Sequence, residues 1–81
     1  MNESLASFVR YFVAAGQSGG WLIFREGRQR AVHRVPQKLL AVETARIMAR
    51  ESAPSQVFVE RYDGTFEVKY SFGPAAAQAA H

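Results

Sequence analysis

No cysteine occurs in this chain of 81 residues, which excludes disulfide bonds, thiol nucleophiles and thiolate zinc sites. Small secreted domains commonly supplement a small core with disulfides, so their absence favours a reducing compartment, and we expect a soluble, cytoplasmic protein. No apolar run approaches the ~18 residues that a membrane-spanning helix needs, and we predict no membrane partner. One core of this size contributes only about 3–5 kcal/mol, so a second subunit would add stability that a monomer lacks.

Histidine is scarce as well: only His33 and His81 occur. An enzyme needs a converging acid, base or nucleophile, and neither histidine has an evident partner in the sequence. The glycine-rich run at residues 16–20 is not followed by the Gly-Lys-Ser/Thr of a phosphate-binding loop, and it leads into a strand rather than a helix. We therefore predict no enzymatic activity, no catalytic residue, no cofactor and no metal site.

Two hairpins are predicted from alternation and turn residues. Residues 21–26 are rich in aromatic and β-branched side chains, and residues 28–35 alternate between polar and apolar up to Pro36, which predicts a hairpin across residues 21–35. Residues 55–62 and 65–72 alternate in the same way. Asp63 and Gly64 between them predict a two-residue type I′ turn.

A helix is predicted between Gln37 and Ser52, ended by Ala53 and Pro54. Apolar residues recur there at spacings of three and four, which places them on one face. Three of the five are alanine, so the helix can approach a sheet closely. The five residues are Ala41, Val42, Ala45, Met48 and Ala49.

Residues 4–14 are ambiguous from periodicity alone. Leu5, Phe8, Val9, Phe12 and Val13 have the spacing of a helical stripe, whereas the run at residues 8–13 also has strong strand propensity. The pattern leaves both structures open.

Short motifs follow one another along the chain in a characteristic order: Tyr11 to Val13, Gly20 with Trp21, Ala41 to Ala49, Asp63 with Gly64, and Ser71 to Gly73. This order resembles a small bacterial family known as domain of unknown function 2188. The similarity covers Phe8 to Gly73, and it implies a strand for the N-terminal segment and no assigned activity. One departure is Gln37 at the helix start, where the family has a threonine cap, and the weaker cap costs about 1 kcal/mol.

We therefore predict a single α+β domain at residues 8–73, with an N-terminal extension at residues 1–7 and a flexible, alanine-rich tail at residues 74–81. The element order is β-β-β-α-β-β. Its mostly antiparallel sheet has four to five strands, with one helix packed on one face.

Four arginines lie in a ten-residue segment, residues 25–34, around the first predicted hairpin. Strand alternation places Arg28, Arg30 and Arg34 on one face together with Val32, where three guanidinium groups could contact a phosphate backbone. The competing interpretation is a solvated edge strand that its charge protects from aggregation. The alternative function is therefore nucleic-acid binding by Arg25, Arg28, Arg30 and Arg34, with bases stacked on Trp21 or Tyr62.

Large apolar side chains exceed what one alanine-lined helix can cover, because alternation places them on both faces of the sheet. A second subunit is the simplest cover for the other face. The alternatives are residues 4–14 folded as a helix, a different protein partner, or nucleic-acid bases stacked on the aromatic rings. The predicted function is a non-catalytic, homodimeric interaction module whose association face includes Phe8, Phe12, Phe58, Phe66 and Tyr70.

Overall fold

A computed structural model describes residues 8–73, and the predicted N-terminal extension and C-terminal tail lie outside this range. The elements are β1 (Val9–Ala15), β2 (Trp21–Arg25), β3 (His33–Val35), α1 (Lys38–Glu51), β4 (Ser55–Glu60) and β5 (Phe66–Phe72). The sheet order is β3-β2-β1-β4-β5, in which β1 and β4 are parallel and every other pair is antiparallel. The predicted β-β-β-α-β-β order and the mostly antiparallel sheet are thus confirmed.

The ambiguous N-terminal segment forms β1, the central strand of the sheet. β1 pairs with β2 on one side and with β4 on the other, so its backbone groups find partners on both edges. Tyr11 and Val13 point to one face and are buried, while Phe12 points to the opposite face. The strand that the family resemblance implies is therefore confirmed, and the helical alternative for residues 4–14 is wrong over the part of that segment that the structure describes, residues 8–14.

The alanine-lined helix packs on the face of the sheet that carries Tyr11 and Val13. Ala41, Ala45 and Ala49 are fully buried, with Val42 and Met48 beside them. Small side chains let the helix approach the strands until backbone and methyl groups fill the space. The core is completed from the sheet side by Tyr11, Val13, Ile23, Val57 and Val59.

The two ends of α1 differ in their polar contacts. Gln37 is the N-cap residue and makes no side-chain cap hydrogen bond, so the weak start expected from the sequence is confirmed. At the other end, the Ser52 backbone N–H donates to the Ala49 carbonyl oxygen at 3.0 Å, and the buried Ser55 hydroxyl donates to the same oxygen. The Tyr11 hydroxyl lies 3.1 Å from Ser52 Oγ and ties the end of the helix to β1.

The first hairpin differs from the prediction, because β3 contains only three residues. Pairing between β2 and β3 extends from Trp21 opposite Val35 to Ile23 opposite His33. Residues 26–32 form a connecting loop in which Gly27 has φ of 93°. The expectation that Arg28, Arg30 and Arg34 line one strand face with Val32 is therefore wrong, since residues 28–32 are not in a strand.

The second hairpin turn also differs from the expected type I′ geometry. A type I′ turn requires positive φ at both central residues, but of Asp63 and Gly64 only Gly64 has it, at 92°. Hydrogen bonds join Arg61 N–H to Thr65 O and Gly64 N–H to Arg61 O, which makes a three-residue loop of residues 62–64. The Asp63 carboxylate accepts from the Thr65 backbone N–H at 3.0 Å and from its hydroxyl at 2.7 Å. The Asp63 side chain thus forms a hydrogen-bonded turn with the backbone two residues further on.

Candidate functional site

The face of the sheet opposite α1 carries a row of large apolar side chains. Phe12 is directly opposite Phe24 on β2 and Phe58 on β4, and Phe58 is opposite Val68 on β5. Within residues 8–73 the only helix packs on the other face, so this row has no covering element. We define the open face as Phe12, Ala14, Leu22, Phe24, Phe58, Phe66 and Val68.

The aromatic rings of the open face contact one another in ordered geometries. Phe12 and Phe58 stack with ring centroids 5.0 Å apart, and Phe12 meets Phe66 edge-on at 5.6 Å. Such pairs contribute about 0.5–1.5 kcal/mol each beyond the area they bury. Phe66 and Val68 remain 41% and 50% exposed, respectively. The face is thus held in one arrangement while much of its apolar surface stays accessible.

Polar contacts bound the open face at both ends of the strands. At the start of β1, an Arg10 guanidinium nitrogen lies 3.1 Å from a Glu26 carboxylate oxygen. At the other end, the Glu60 carboxylate accepts from the Ala15 backbone N–H at 2.9 Å. Arg34 Nη2 donates to the Gly19 carbonyl oxygen at 2.8 Å. An apolar centre with a polar rim is the arrangement found in protein interfaces.

Three of the five predicted association residues lie together, and two do not. Phe12, Phe58 and Phe66 are in mutual contact through Phe12, whereas Phe8 precedes β1 and is half-buried. Tyr70 was predicted on this face but lies on the helix side, opposite Val57 and stacked with Phe72.

A β-bulge explains the misplacement of Tyr70. Val68 is opposite Phe58, while Tyr70 is opposite Val57, so Lys69 is an extra residue between them. An extra residue reverses the alternation of side chains beyond it. Tyr70 therefore leaves the face that carries Phe66.

Four further members of the open face were not predicted as site residues: Ala14, Leu22, Phe24 and Val68. Leu22 and Phe24 alternate with Trp21 and Ile23, and this alternation was a signal that could have identified them. Val68 depends on the pairing of β5 with β4, which no local pattern reveals.

The exposed edges of the sheet are short or irregular. β3 forms one edge with three residues, and β5 forms the other with a bulge at Lys69. Short edge strands, bulges and edge lysines all oppose pairing with a strand from another chain. Association through the face is therefore less hindered than association through an edge.

The six predicted nucleic-acid residues lie at two ends of the sheet: Arg25 and the loop with Arg28 and Arg30 are at one end, and Arg34, Trp21 and Tyr62 are at the other. Arg25 ends β2 and Trp21 begins it, so four residue steps of about 3.3 Å separate them along the strand. Arg34 pairs beside Leu22, near the Trp21 end. Tyr62 lies in the β4–β5 turn and is fully exposed. Because β4 is parallel to β1, that turn also lies at the Trp21 end, away from Arg25.

Two carboxyl groups have shifted pKa values, and both are stabilised as carboxylates. A hydrogen bond from the Arg46 guanidinium lowers the pKa of Glu43. Hydrogen bonds from Thr65 lower the pKa of Asp63.

Residues 8–73 contain no group of three or more histidine and acidic side chains that could hold a metal ion. The absence of enzymatic activity remains a prediction. No helix in the described range is long and apolar enough to cross a membrane.

Comparison with known proteins identifies one family. Residues 11–72 match the model of a family described as an uncharacterized protein conserved in bacteria, DUF2188. Neither curated proteins nor solved structures show a significant similarity to the chain. The match includes β1 through β5, and it confirms the resemblance carried by the sequence motifs. The chain therefore belongs to the DUF2188 family.

Proposed function

We propose that this domain is a non-catalytic interaction module that forms a homodimer through the open face. The observation that carries the proposal is the uninterrupted row of Phe24, Phe12, Phe58 and Val68 across four neighbouring strands. A two-layer domain normally alternates apolar residues inward and polar residues outward. Here the outward face is apolar as well, which is typical of a surface that another molecule covers.

The dimensions of the face support a weak, reversible dimer. Four strands spaced about 4.8 Å apart and about 20 Å long give a flat footprint of roughly 400 Å² before side-chain relief is added. Specific interfaces usually bury about 800 Å² of accessible surface per partner, so this face belongs at the low end of the range. We expect the dimer to have a dissociation constant of about 10⁻⁶ to 10⁻⁵ M.

The order of side chains along the row suits a second copy of the same chain. A two-fold axis parallel to the strands, between β1 and β4, exchanges β1 with β4 and β2 with β5. Phe12 would then oppose Phe58 of the partner subunit. Phe24 would oppose Val68 of the partner subunit, a large side chain against a smaller one, which favours interdigitation of the two faces.

Analytical ultracentrifugation of matched variants tests this proposal. Val68 on the open face is 50% exposed, and Leu40 on α1 is 47% exposed, so each can be changed to glutamate with little loss of core packing. We expect the wild-type mass to rise from monomer to dimer between about 1 and 500 µM. Val68→Glu should stay monomeric throughout, because a carboxylate would be buried against an apolar face. Leu40→Glu should dimerise as the wild type does.

Two results would contradict the proposal. One is a wild-type protein that stays monomeric at the highest concentration, which would assign the open face to another partner or to the chain's own termini. The other is equal association of Val68→Glu and the wild type, which would place the contact elsewhere. Nucleic-acid binding, the alternative function that the arginines suggested, concerns a different surface from the open face.

A further inference from the structure

Positive charge is concentrated at the end of the domain where β2 ends and β1 begins. Arg25 is paired with Tyr11 across these strands, and its guanidinium carbon lies 5.8 Å from the centre of the Tyr11 ring. The charged residues of this arginine end are Arg10, Arg25, Arg28 and Arg30 against Glu26, an excess of three positive charges.

Most of these guanidinium groups are available to a ligand. Glu26 neutralises Arg10 through the 3.1 Å ion pair. Arg28 and Arg30 are exposed, and within residues 8–73 their side chains have no hydrogen bond or ion pair. The formal charge of the whole chain is +3, so the arginine end alone accounts for an excess of this size.

The shape of the arginine end suits an extended polyanion rather than a small ligand. The loop at residues 27–32 lines an open surface depression of about 540 Å³. Its only larger apolar side chain is Val32, which is half-buried against the core, so nothing there could insert into a lipid bilayer. Trp21 and Tyr62, the two aromatic residues predicted to stack bases, lie at the opposite end of the sheet, so neither can stack an unpaired base beside these arginines.

We infer that the arginine end binds the phosphate backbone of duplex nucleic acid without reading its sequence. Duplex DNA carries one charge per about 1.7 Å of its axis, a density that several adjacent guanidinium groups can match. Arg25, Arg28 and Arg30 are the contacting residues. This set omits Arg34, whose guanidinium donates to the Gly19 carbonyl at the other end of the sheet.

Fluorescence anisotropy with a labelled duplex of about 20 base pairs tests this inference through its salt dependence. Three phosphate contacts predict a slope of log K against log salt of about −2.7, at about −0.9 per contact. Arg28→Gln with Arg30→Gln should reduce the slope to about −0.9. The control, Arg61→Gln with Lys69→Gln, removes the same charge from the β4–β5 hairpin and should leave the slope near that of the wild type.

The inference does not depend on dimerisation, and four outcomes would overturn it. Two of them concern the duplex: the wild type does not bind it at low salt, or the control pair loses as much slope as Arg28→Gln with Arg30→Gln. The other two concern other ligands: a single strand binds more tightly than the duplex, or anionic phosphatidylserine vesicles bind and the duplex does not. Circular dichroism of both double variants should match the wild type, because Arg28 and Arg30 are exposed and pack against nothing in the core.

Discussion

Ala45 lies in the middle of the alanine stripe by which α1 contacts the sheet, and it is completely buried. Changing Ala45 to leucine adds three carbon atoms where helix and strands already meet. Such overpacking typically costs about 1–3 kcal/mol. A core of this size provides only about 3–5 kcal/mol, so an overpacking cost in the middle of its range, about 2 kcal/mol, removes roughly half of the stability of the domain.

Urea denaturation followed by circular dichroism measures this loss. With a denaturant slope of about 1 kcal/mol per M, expected for so small a domain, 2 kcal/mol lowers the midpoint by about 2 M. Protein concentration must be the same in every sample, because dimerisation stabilises the folded state by mass action.

Thr44→Leu is the matched control for Ala45→Leu, since it introduces the same side chain one residue away. Thr44 is half-buried, and its hydroxyl bonds only to the Leu40 carbonyl of the same helix. Leucine has the higher helix propensity, so we expect a midpoint within about 0.5 M of the wild type. Equal midpoints for Ala45→Leu and the wild type would refute the reasoning that methyl-sized side chains set the distance between α1 and the sheet.

Three further predictions concern single polar or backbone features. Tyr11→Phe removes the hydroxyl that lies 3.1 Å from Ser52 Oγ, and the free energy of unfolding should fall by about 0.5–1.5 kcal/mol; an unchanged midpoint would show that water replaces this bond without cost. Gly64 has φ of 92° and open space around its Cα, so Gly64→Ala should cost about 1–2 kcal/mol from backbone strain alone, and a neutral result would contradict the turn geometry. Asp63 is the only aspartate, and its carboxylate ¹³C shift should titrate below the ordinary aspartate pKa because Thr65 donates two hydrogen bonds to it. Because the pKa of Asp63 is lower in the folded state than in the unfolded state, the hydrogen bonds from Thr65 stabilise the fold above the ordinary aspartate pKa. This stabilisation is lost as the pH falls through the folded-state pKa of Asp63. Thr65→Val removes the hydroxyl donor and should raise the titration midpoint of Asp63; no change would assign the shift to the backbone N–H alone.

Features that depend on local periodicity were predicted correctly from the sequence. The helix repeats alanine at spacings that define one face within its own residues, so its limits and its buried stripe follow without knowledge of the sheet. The excess of large apolar residues over what that stripe can cover was also visible in the sequence. This excess predicted Phe12, Phe58 and Phe66 as members of an association face without knowledge of the strand order.

Features that depend on pairing between distant strands were not predictable. The bulge at Lys69 is defined by which β4 residues face β5, and it moves Tyr70 to the helix side although the local alternation is unbroken. Likewise, residues 28–32 alternate as a strand does. Pairing with β2 nevertheless begins only at His33, so the arginines of that segment occupy a loop.

The central claim is that the open face of one copy packs against the open face of a second copy. Isotope-filtered nuclear Overhauser spectroscopy on a mixture of labelled and unlabelled protein tests it most directly, because only contacts between subunits give signals. We predict cross-peaks between the ring of Phe12 and the ring of Phe58 of the partner subunit. Absence of any intersubunit signal from the open face, at a concentration where the mass is that of a dimer, would contradict the account.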